Sequence, residues 1–284
     1  MPTDLLQQIA VQEHFQLQKA DQLSGGSINA VYRLETSVGT RLIKINTANR
    51  YADLFKKEAE GLAVLRSANA FKIPEVYSVN AIESQVYLLM AYLPTTENRD
   101  GSWRNFAQSL ADLHRHTATT FGLDHDNYIG SLPQYNQSTL TNAGEFYIEN
   151  RLKPQFKLAN QKGGFSFGNL DKFYQHIAYL IPDEKPALIH GDLWGENYLL
   201  TAEGKPALID PTVAYAPREM DLAMMKLFGG FPDEAFSHYN AIFPLKQGWT
   251  ERVDIWQLYY LLVHLNLFGQ NYFHPVNRII SRFR

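Results

Sequence analysis

An α+β chain of two lobes is predicted, strand-rich over its first third and mainly helical beyond, and three observations predict it. Strand-length apolar runs with period-2 alternation crowd the region up to residue 93. From Trp103 onward, apolar residues recur at helical spacing, as with Phe106, Leu110 and Leu113. Between these patterns in character lies Ala187–Leu200, answered by Pro206–Pro211. There an apolar run delivers a turn containing His190, Asp192 and Asn197, a second apolar run leaves it, and a third ends on Asp210. The stretch reads as β-loop-β with a third short strand, bringing three polar groups to one point.

Taken in order, residues 4 to 14 read as a short helix leading to a first strand at Phe15-Gln16-Leu17. Ser24-Gly25-Gly26-Ser27-Ile28-Asn29 is a small-residue turn before the alternating strand Ala30–Leu34. Paired glycines let backbone N–H groups approach a phosphate, and the hydroxyls of Ser24 and Ser27 add donors. Arg41–Ile45 is a strand with Lys44 among apolar residues, where an unpaired ammonium is costly to bury. The helix expected over Tyr51–Leu65 carries Glu58 and Glu60, and Lys44 with Glu58 is the expected ion pair. Pro74–Val79 and Gln85–Leu93 form a further pair of strands, the second ending at Pro94. A polar stretch to Ser102 then marks the boundary, giving lobes 1–93 and 94–284.

Trp103–Ala118 is an amphipathic helix bearing His114 and His116, whose i, i+2 spacing points them to different faces and argues against a zinc pair. The segment from Asn127 to Gln134 reads as a loop, and Glu145–Leu158 and Leu170–Ile181 as helices. Another helix begins at Arg218-Glu219-Met220-Asp221 and ends near Phe228-Gly229-Gly230-Phe231. Asp221 either bonds the amides of the 190–197 loop or simply sits at a favourable helix N-terminus. Val253–Gly269 is the expected final helix.

Composition narrows the function. The chain has 284 residues, no cysteine, 45% hydrophobic residues and a formal net charge of -3. Disulfides, thiolate metal sites and a cysteine nucleophile are excluded. The absence of a Lys/Arg run argues against nucleic-acid or membrane-surface partners. The polar first 18 residues show no secretory signal, and Leu258–Phe268 is too short to span a bilayer, so a cytoplasmic location is expected.

The chemistry follows from residue type and spacing. Asp192 and Asn197 are placed like the D-L-x-x-x-N of a kinase catalytic loop, and Asp210 like the metal-binding aspartate that follows it. A carboxylate accepts the proton of an attacking hydroxyl; an amide oxygen and a second carboxylate suit Mg2+ held against ATP phosphates. His190 braces the loop, since Asp192 makes a separate base unnecessary. If this segment is a kinase-type hinge, backbone groups around Met90 to Leu93 face an adenine edge, with Met90 and Tyr92 as the expected contacts. Trp194 either stacks on a sugar face or packs internally.

With these residues in place, the chain resembles the fructosamine kinase family, within the aminoglycoside-phosphotransferase/protein-kinase-like superfamily. The resemblance rests on His190-Gly191-Asp192-Leu193-Trp194-Gly195-Glu196-Asn197, on Ile209-Asp210-Pro211, and on Arg218-Glu219 through Phe228-Gly229-Gly230-Phe231. Ser24–Asn29, Phe55–Glu58, Asn127–Gly130 and Arg151–Gln155 support it. It implies a two-lobed protein-kinase-like fold and ATP-dependent phosphorylation of a ketosamine, free or protein-bound, as a deglycation repair step. Many relatives carry cysteine after the paired glycines, where this chain has Ser27. The other readings are an aminoglycoside- or choline-type kinase and a catalytically silent ATP-binding module; the full set Lys44, Glu58, Asp192, Asn197 and Asp210 speaks against silence.

Overall fold

The computed structural model describes residues 2–23, 29–47, 53–96 and 101–284. Its N-terminal lobe is built on a five-stranded antiparallel sheet: β1 (Leu17–Gln22), β2 (Ala30–Thr36), β3 (Gly39–Thr47), β4 (Val76–Ile82) and β5 (Gln85–Ala91), in the order β1-β2-β3-β5-β4. The alternation of side chains along a strand sorts this sheet's two faces. Ile43, Ile45, Tyr87 and Leu89 face α1 (Pro2–Gln12), burying Leu6, Ile9 and Ala10. The intervening Leu42, Val86, Leu88 and Met90 belong to a second core with α2 (Leu54–Ser67), from which Leu54, Phe55, Leu62 and Leu65 are buried. Lys44, in register with Leu88, shares this second face.

Beyond residue 101 the chain is mainly helical. α3 (Trp103–Arg115) leads to β6 (Asn127–Ile129) and β7 (Leu132–Gln134), then α4 (Ala143–Phe146), a π turn (Tyr147–Leu152), α5 (Lys153–Gly163) and α6 (Asp171–Leu180). Four three-residue strands follow: β8 (Ala187–Ile189), β9 (Tyr198–Leu200), β10 (Pro206–Leu208) and β11 (Ala214–Ala216). The chain closes with α7 (Glu219–Phe228), α8 (Asp233–Ile242), α9 (Trp249–Phe268), a 3-10 turn and α10 (Phe273–Arg282). Among the described residues no helix is long and apolar enough to cross a membrane.

The α+β class and the division into a sheet-built and a helical lobe stand as read from sequence. Several elements differ. The first strand starts at Leu17, because Phe15 is used to cap α1 with its amide on the Ala10 carbonyl. Residues 127–134 form a hairpin rather than a loop, held from outside by Asn127 Nδ2 donating to the Val213 carbonyl at 2.9 Å. The helix expected over Glu145–Leu158 contains the π turn, whose buried Tyr147 hydroxyl reaches backbone carbonyls of α9 at Ile255 and Trp256. α9 is not the last helix: α10 places Val276, Ile279 and Ile280 in the same core.

Candidate active site

The loop bearing Asp192 does not close a hairpin. β8 pairs with β11, Leu188 opposite Tyr215, whereas β9 pairs with β10, Leu199 opposite Ala207. Residues 190–197 therefore span two separate ribbons, and their shape is imposed from outside. Asp221, fully buried in the first turn of α7, accepts hydrogen bonds from the amides of His190 at 2.8 Å and Gly191 at 2.9 Å. Of the two roles open to it in the sequence, it takes the first. Its Oδ2 also lies 3.2 Å from His114 Nε2, while His114 Nδ1 meets the Tyr239 hydroxyl at 2.7 Å.

His190 braces the loop as a neutral imidazole. Its Nε2 is 2.8 Å from the Ile209 carbonyl and its Nδ1 is 3.3 Å from the Asp192 amide, so Nε2 carries the proton and Nδ1 accepts. Burial pushes its pKa below the ordinary value. Two glycines set the loop's clearance. Gly191 has φ +85°, and a Cβ there would lie 2.2 Å from the Thr212 carbonyl oxygen. Gly195 backs directly onto Gly230, whose own Cβ would lie 2.4 Å from the Gly195 Cα; the Gly195 amide donates to the Gly229 carbonyl at 3.1 Å.

Asp192 is held by Asn197, whose Nδ2 donates to the Asp192 carbonyl at 2.8 Å and to its Oδ2 at 3.3 Å. Burial, then the nearby Asp210 carboxylate, push the Asp192 carboxyl up to about 7 against the opposing pull of Asn197. A group with that value can take up a proton near neutrality.

Lys44 and Glu58 meet as the sequence suggests. Lys44 Nζ donates to Glu58 Oε1 at 2.6 Å and also to Asp210 Oδ1, so one ammonium ties β3, α2 and the end of the 206–210 segment together. Burial alone would lower its pKa, but the two carboxylates hold it above the ordinary lysine value. Asp210 adopts φ +54°, a left-handed conformation rare for a residue with a side chain. α2 approaches this segment closely: a Cβ on Gly61 would lie 3.3 Å from Pro211 Cγ.

Two cavities meet at these groups. One, of about 520 Å3, is lined by Val31, Leu42, Met90, Leu199 and Ile209, with Ala91 to Leu93 along one edge. The other, of about 420 Å3, lies against α2 and the β6–β7 hairpin and is lined by Lys57, Glu58, Asn127, Tyr128, Asp192 and Thr212. Asn29, Lys44, Trp194, Glu196, Asn197 and Asp210 line both. Met90 and Tyr92 line only the first of these cavities, and Asp192 only the second. Trp194 lines both walls while its ring also packs edge-on to Phe228 at 6.3 Å. Ser24, Gly25, Gly26 and Ser27 lie outside the described residues.

A small hard cation fits the shared wall. Asn197 commits its Nδ2 to Asp192, which leaves Oδ1 as an oxygen donor, and the Asp210 side chain is 43% exposed. One amide oxygen plus one carboxylate is the kind of sparse oxygen set that Mg2+ accepts when phosphates and water complete it. Sequence reasoning did not single out Glu196 or Thr212 as site residues. Glu196 stood inside the recognised motif without an assigned role, and Thr212 enters only because the segment ahead of β11 lies over Gly191.

Comparisons with known proteins give the family and the fold. The fructosamine kinase family profile matches residues 2–284. A probable ketoamine kinase of Enterococcus faecium is 37% identical over 265 residues, covering 91% of this chain and 93% of its own. One from Lactiplantibacillus plantarum is 36% identical, covering 94% and 95%. The crystal structure of a candidate fructosamine-3-kinase from Haemophilus somnus 129PT superposes with a TM-score of 0.86 at 30% identity, covering 98% of this chain and 96% of that one. The aminoglycoside phosphotransferase APH(4)-Ia shares the fold, with a TM-score of 0.65 at 14% identity and 99% of each chain covered. On this evidence the chain, a phosphotransferase, belongs to the fructosamine kinase family.

Proposed function

We propose that the protein transfers the γ-phosphoryl group of ATP to a sugar hydroxyl of a ketosamine, a deglycation step carried out in the cytoplasm. The observation that carries this reading is the division of labour between the cavities. Lys44, Asn197 and Asp210 line both, while Asp192 lines only the one away from Met90 and Tyr92. The cavity lined by Val31, Leu42, Met90, Leu199 and Ile209 suits a purine, with the backbone of residues 91–93 at its edge, and the one that holds Asp192 suits the acceptor. The lobes divide in this reading at residues 93 and 94, nucleotide-binding before and acceptor-binding after.

Each side chain then has a task. Lys44, oriented by Glu58, meets phosphate oxygens; Ser24 to Ser27 are proposed to cover them. Asn197 and Asp210 would hold Mg2+, which when bound neutralises charge on the transferring phosphate. Asp192 orients the acceptor hydroxyl and takes its proton. Trp194 lies against the sugar. Positioning and charge stabilisation supply most of the acceleration, because phosphoryl transfer asks little covalent chemistry of the protein. The names of the relatives favour a ketosamine over an aminoglycoside- or choline-type acceptor.

The test is ATP consumption by the purified chain with Mg2+, presented in turn with ribulose-lysine, fructose-lysine, a glycated protein and an aminoglycoside panel. Ketosamine-dependent turnover is expected, reduced about 10^2- to 10^4-fold in Asp192→Ala with ATP binding retained. Turnover of aminoglycosides alone, or an unimpaired Asp192→Ala, would overturn the reading.

A further inference from the structure

Asp210 is held in an unusual backbone state from both sides. Its φ of +54° is left-handed, a conformation that persists in a residue with a side chain only where the surroundings over-determine it. Ahead of it the Ile209 amide donates to the Asn197 carbonyl at 3.1 Å, and beyond it the Thr212 amide donates to the His190 carbonyl at 2.9 Å. Two carboxamides of the β6–β7 hairpin then hold the carbonyls that follow. Gln134 Nε2 donates to that of Thr212 at 3.0 Å, and Asn127 Nδ2 to that of Val213 at 2.9 Å.

These carboxamides belong to a buried network that reaches across the helical lobe. Gln134 Nε2 and Asn136 Nδ2 both donate to Asn127 Oδ1 at 2.9 Å, so a flipped Asn127 would set its nitrogen against two donors. The Tyr259 hydroxyl of α9 donates to Gln134 Oε1 at 2.8 Å, and Arg151 Nη2, from the π turn, to Asn136 Oδ1 at 2.7 Å. Arg151 is buried, and among the described residues no carboxylate pairs with it; its guanidinium meets the Tyr135 carbonyl and lies over the rings of Phe146 and Tyr259. A buried cation and three carboxamides cost more than apolar side chains would in the same space, so stability alone does not account for them. What they supply is a fixed orientation for the backbone of residues 212–213.

We infer that Gln134 and Asn127 are positioning residues of the phosphotransferase centre: by fixing the Thr212 and Val213 carbonyls they hold Asp210 left-handed, with its carboxylate turned to Lys44 and to the cation site beside Asn197. The inference rests on the reading of Asn197 and Asp210 as the holders of Mg2+ and deepens it, extending the support of that site to the hairpin, the π turn and α9. Asn127 lines the acceptor cavity, yet its Nδ2 and Oδ1 are both committed inside the protein. It therefore acts on the metal site through the backbone and not on the acceptor.

Binding of Mn2+ in place of Mg2+, with a non-hydrolysable ATP analogue and followed by electron paramagnetic resonance, decides it. Gln134→Leu, Tyr259→Phe and Tyr147→Phe stand beside the wild-type chain and Asp210→Ala. Tyr147 is the matched control, since its equally buried hydroxyl bonds backbone of α9 outside the network. Gln134→Leu is expected to weaken Mn2+ binding about tenfold, and Tyr259→Phe about threefold. Tyr147→Phe should lower the melting temperature as much as Tyr259→Phe does, with Mn2+ affinity within about twofold of wild type. In steady-state assays the Gln134→Leu and Tyr259→Phe chains should lose turnover at limiting Mg2+ and regain it at saturating Mg2+, with the ketosamine KM unchanged. Wild-type Mn2+ affinity in both of these variants would overturn the inference alone, as would an equal loss in Tyr147→Phe, which would mark general loosening. If Gln134→Leu does not fold, the contrast between Tyr259→Phe and Tyr147→Phe decides. A wild-type chain that binds no Mn2+, or an Asp210→Ala chain that binds it undiminished, would overturn the placement of the metal, and the inference with it.

Discussion

At the scale of single residues, the site trades stability for chemistry. Asp192 has its carboxyl raised from the ordinary 3.8 to about 7, so the folded chain holds a proton there that the unfolded chain releases. Its contribution to stability is therefore present below about pH 4 and is lost as pH rises through about 7. Asp192→Asn, without nucleotide or metal, is expected to melt close to wild type at pH 4 and a few degrees (~2–4 °C) above it at pH 8. Equal melting temperatures at both values would mean that the carboxyl is not held high. Asp192, Asn197 and Asp210 were legible in the sequence because they fall within one short stretch whose spacing carries the chemistry. Lys44 was legible because a lysine alternating with apolar residues demands a partner. Thr212 was not: nothing local marks it, and it reaches the cavity only because the segment ahead of β11 packs over Gly191.

At the scale of elements, α7 governs the shape of the loop it never joins. Removing the Asp221 carboxylate leaves the amides of His190 and Gly191 and the ring of His114 without their acceptor in a dry interior. Asp221→Ala is expected to cost about 3 kcal/mol in urea denaturation and to lower turnover with it. A loss below about 0.5 kcal/mol would show that the loop keeps its form unaided. The long helices and the five-stranded sheet could be read from periodicity. The short strands β8, β9 and β10 were legible as apolar runs but their pairing was not, and β6, β7 and β11 were missed, since each is too short to show a period and persists through its partner. β8 is an example: it reads as half of a hairpin with β9, yet it pairs with β11 across the loop.

At the scale of the molecule, the two lobes share a core. Leu62, Leu88 and Met90 from the sheet side form one buried cluster with Phe106, Leu110, Leu193, Tyr198, Leu208 and Leu222. A nucleotide analogue bridging both lobes should therefore stabilise the whole chain. Mg2+ with a non-hydrolysable ATP analogue at about 100 times its Kd adds about 2.7 kcal/mol, expected as a rise in melting temperature of roughly 5 °C. Lys44→Met should abolish most of that shift, and an undiminished shift would separate Lys44 from the phosphates. Backbone hydrogen bonds also tie the β9–β10 ribbon to the N-terminal lobe and to the segment that joins the lobes. Lys72 exchanges hydrogen bonds with Pro206 and Leu208 at 2.9 and 3.1 Å on one edge of the β9–β10 ribbon, while Thr96 and Ala202 bond Leu200 and Pro94 at 3.0 and 2.8 Å on the other. Mechanically this is a double seam, and a seam sets the axis about which the two halves can swing. We expect the ribbon to travel with the sheet, the spacing of Met90, Leu199 and Ile209 to hold, and any opening to fall on the side of β1 to β3. Amide exchange should show this as matched slow rates at Lys72, Thr96, Ala202 and Leu208, with faster exchange at the β1 edge; the reverse order would put the axis elsewhere.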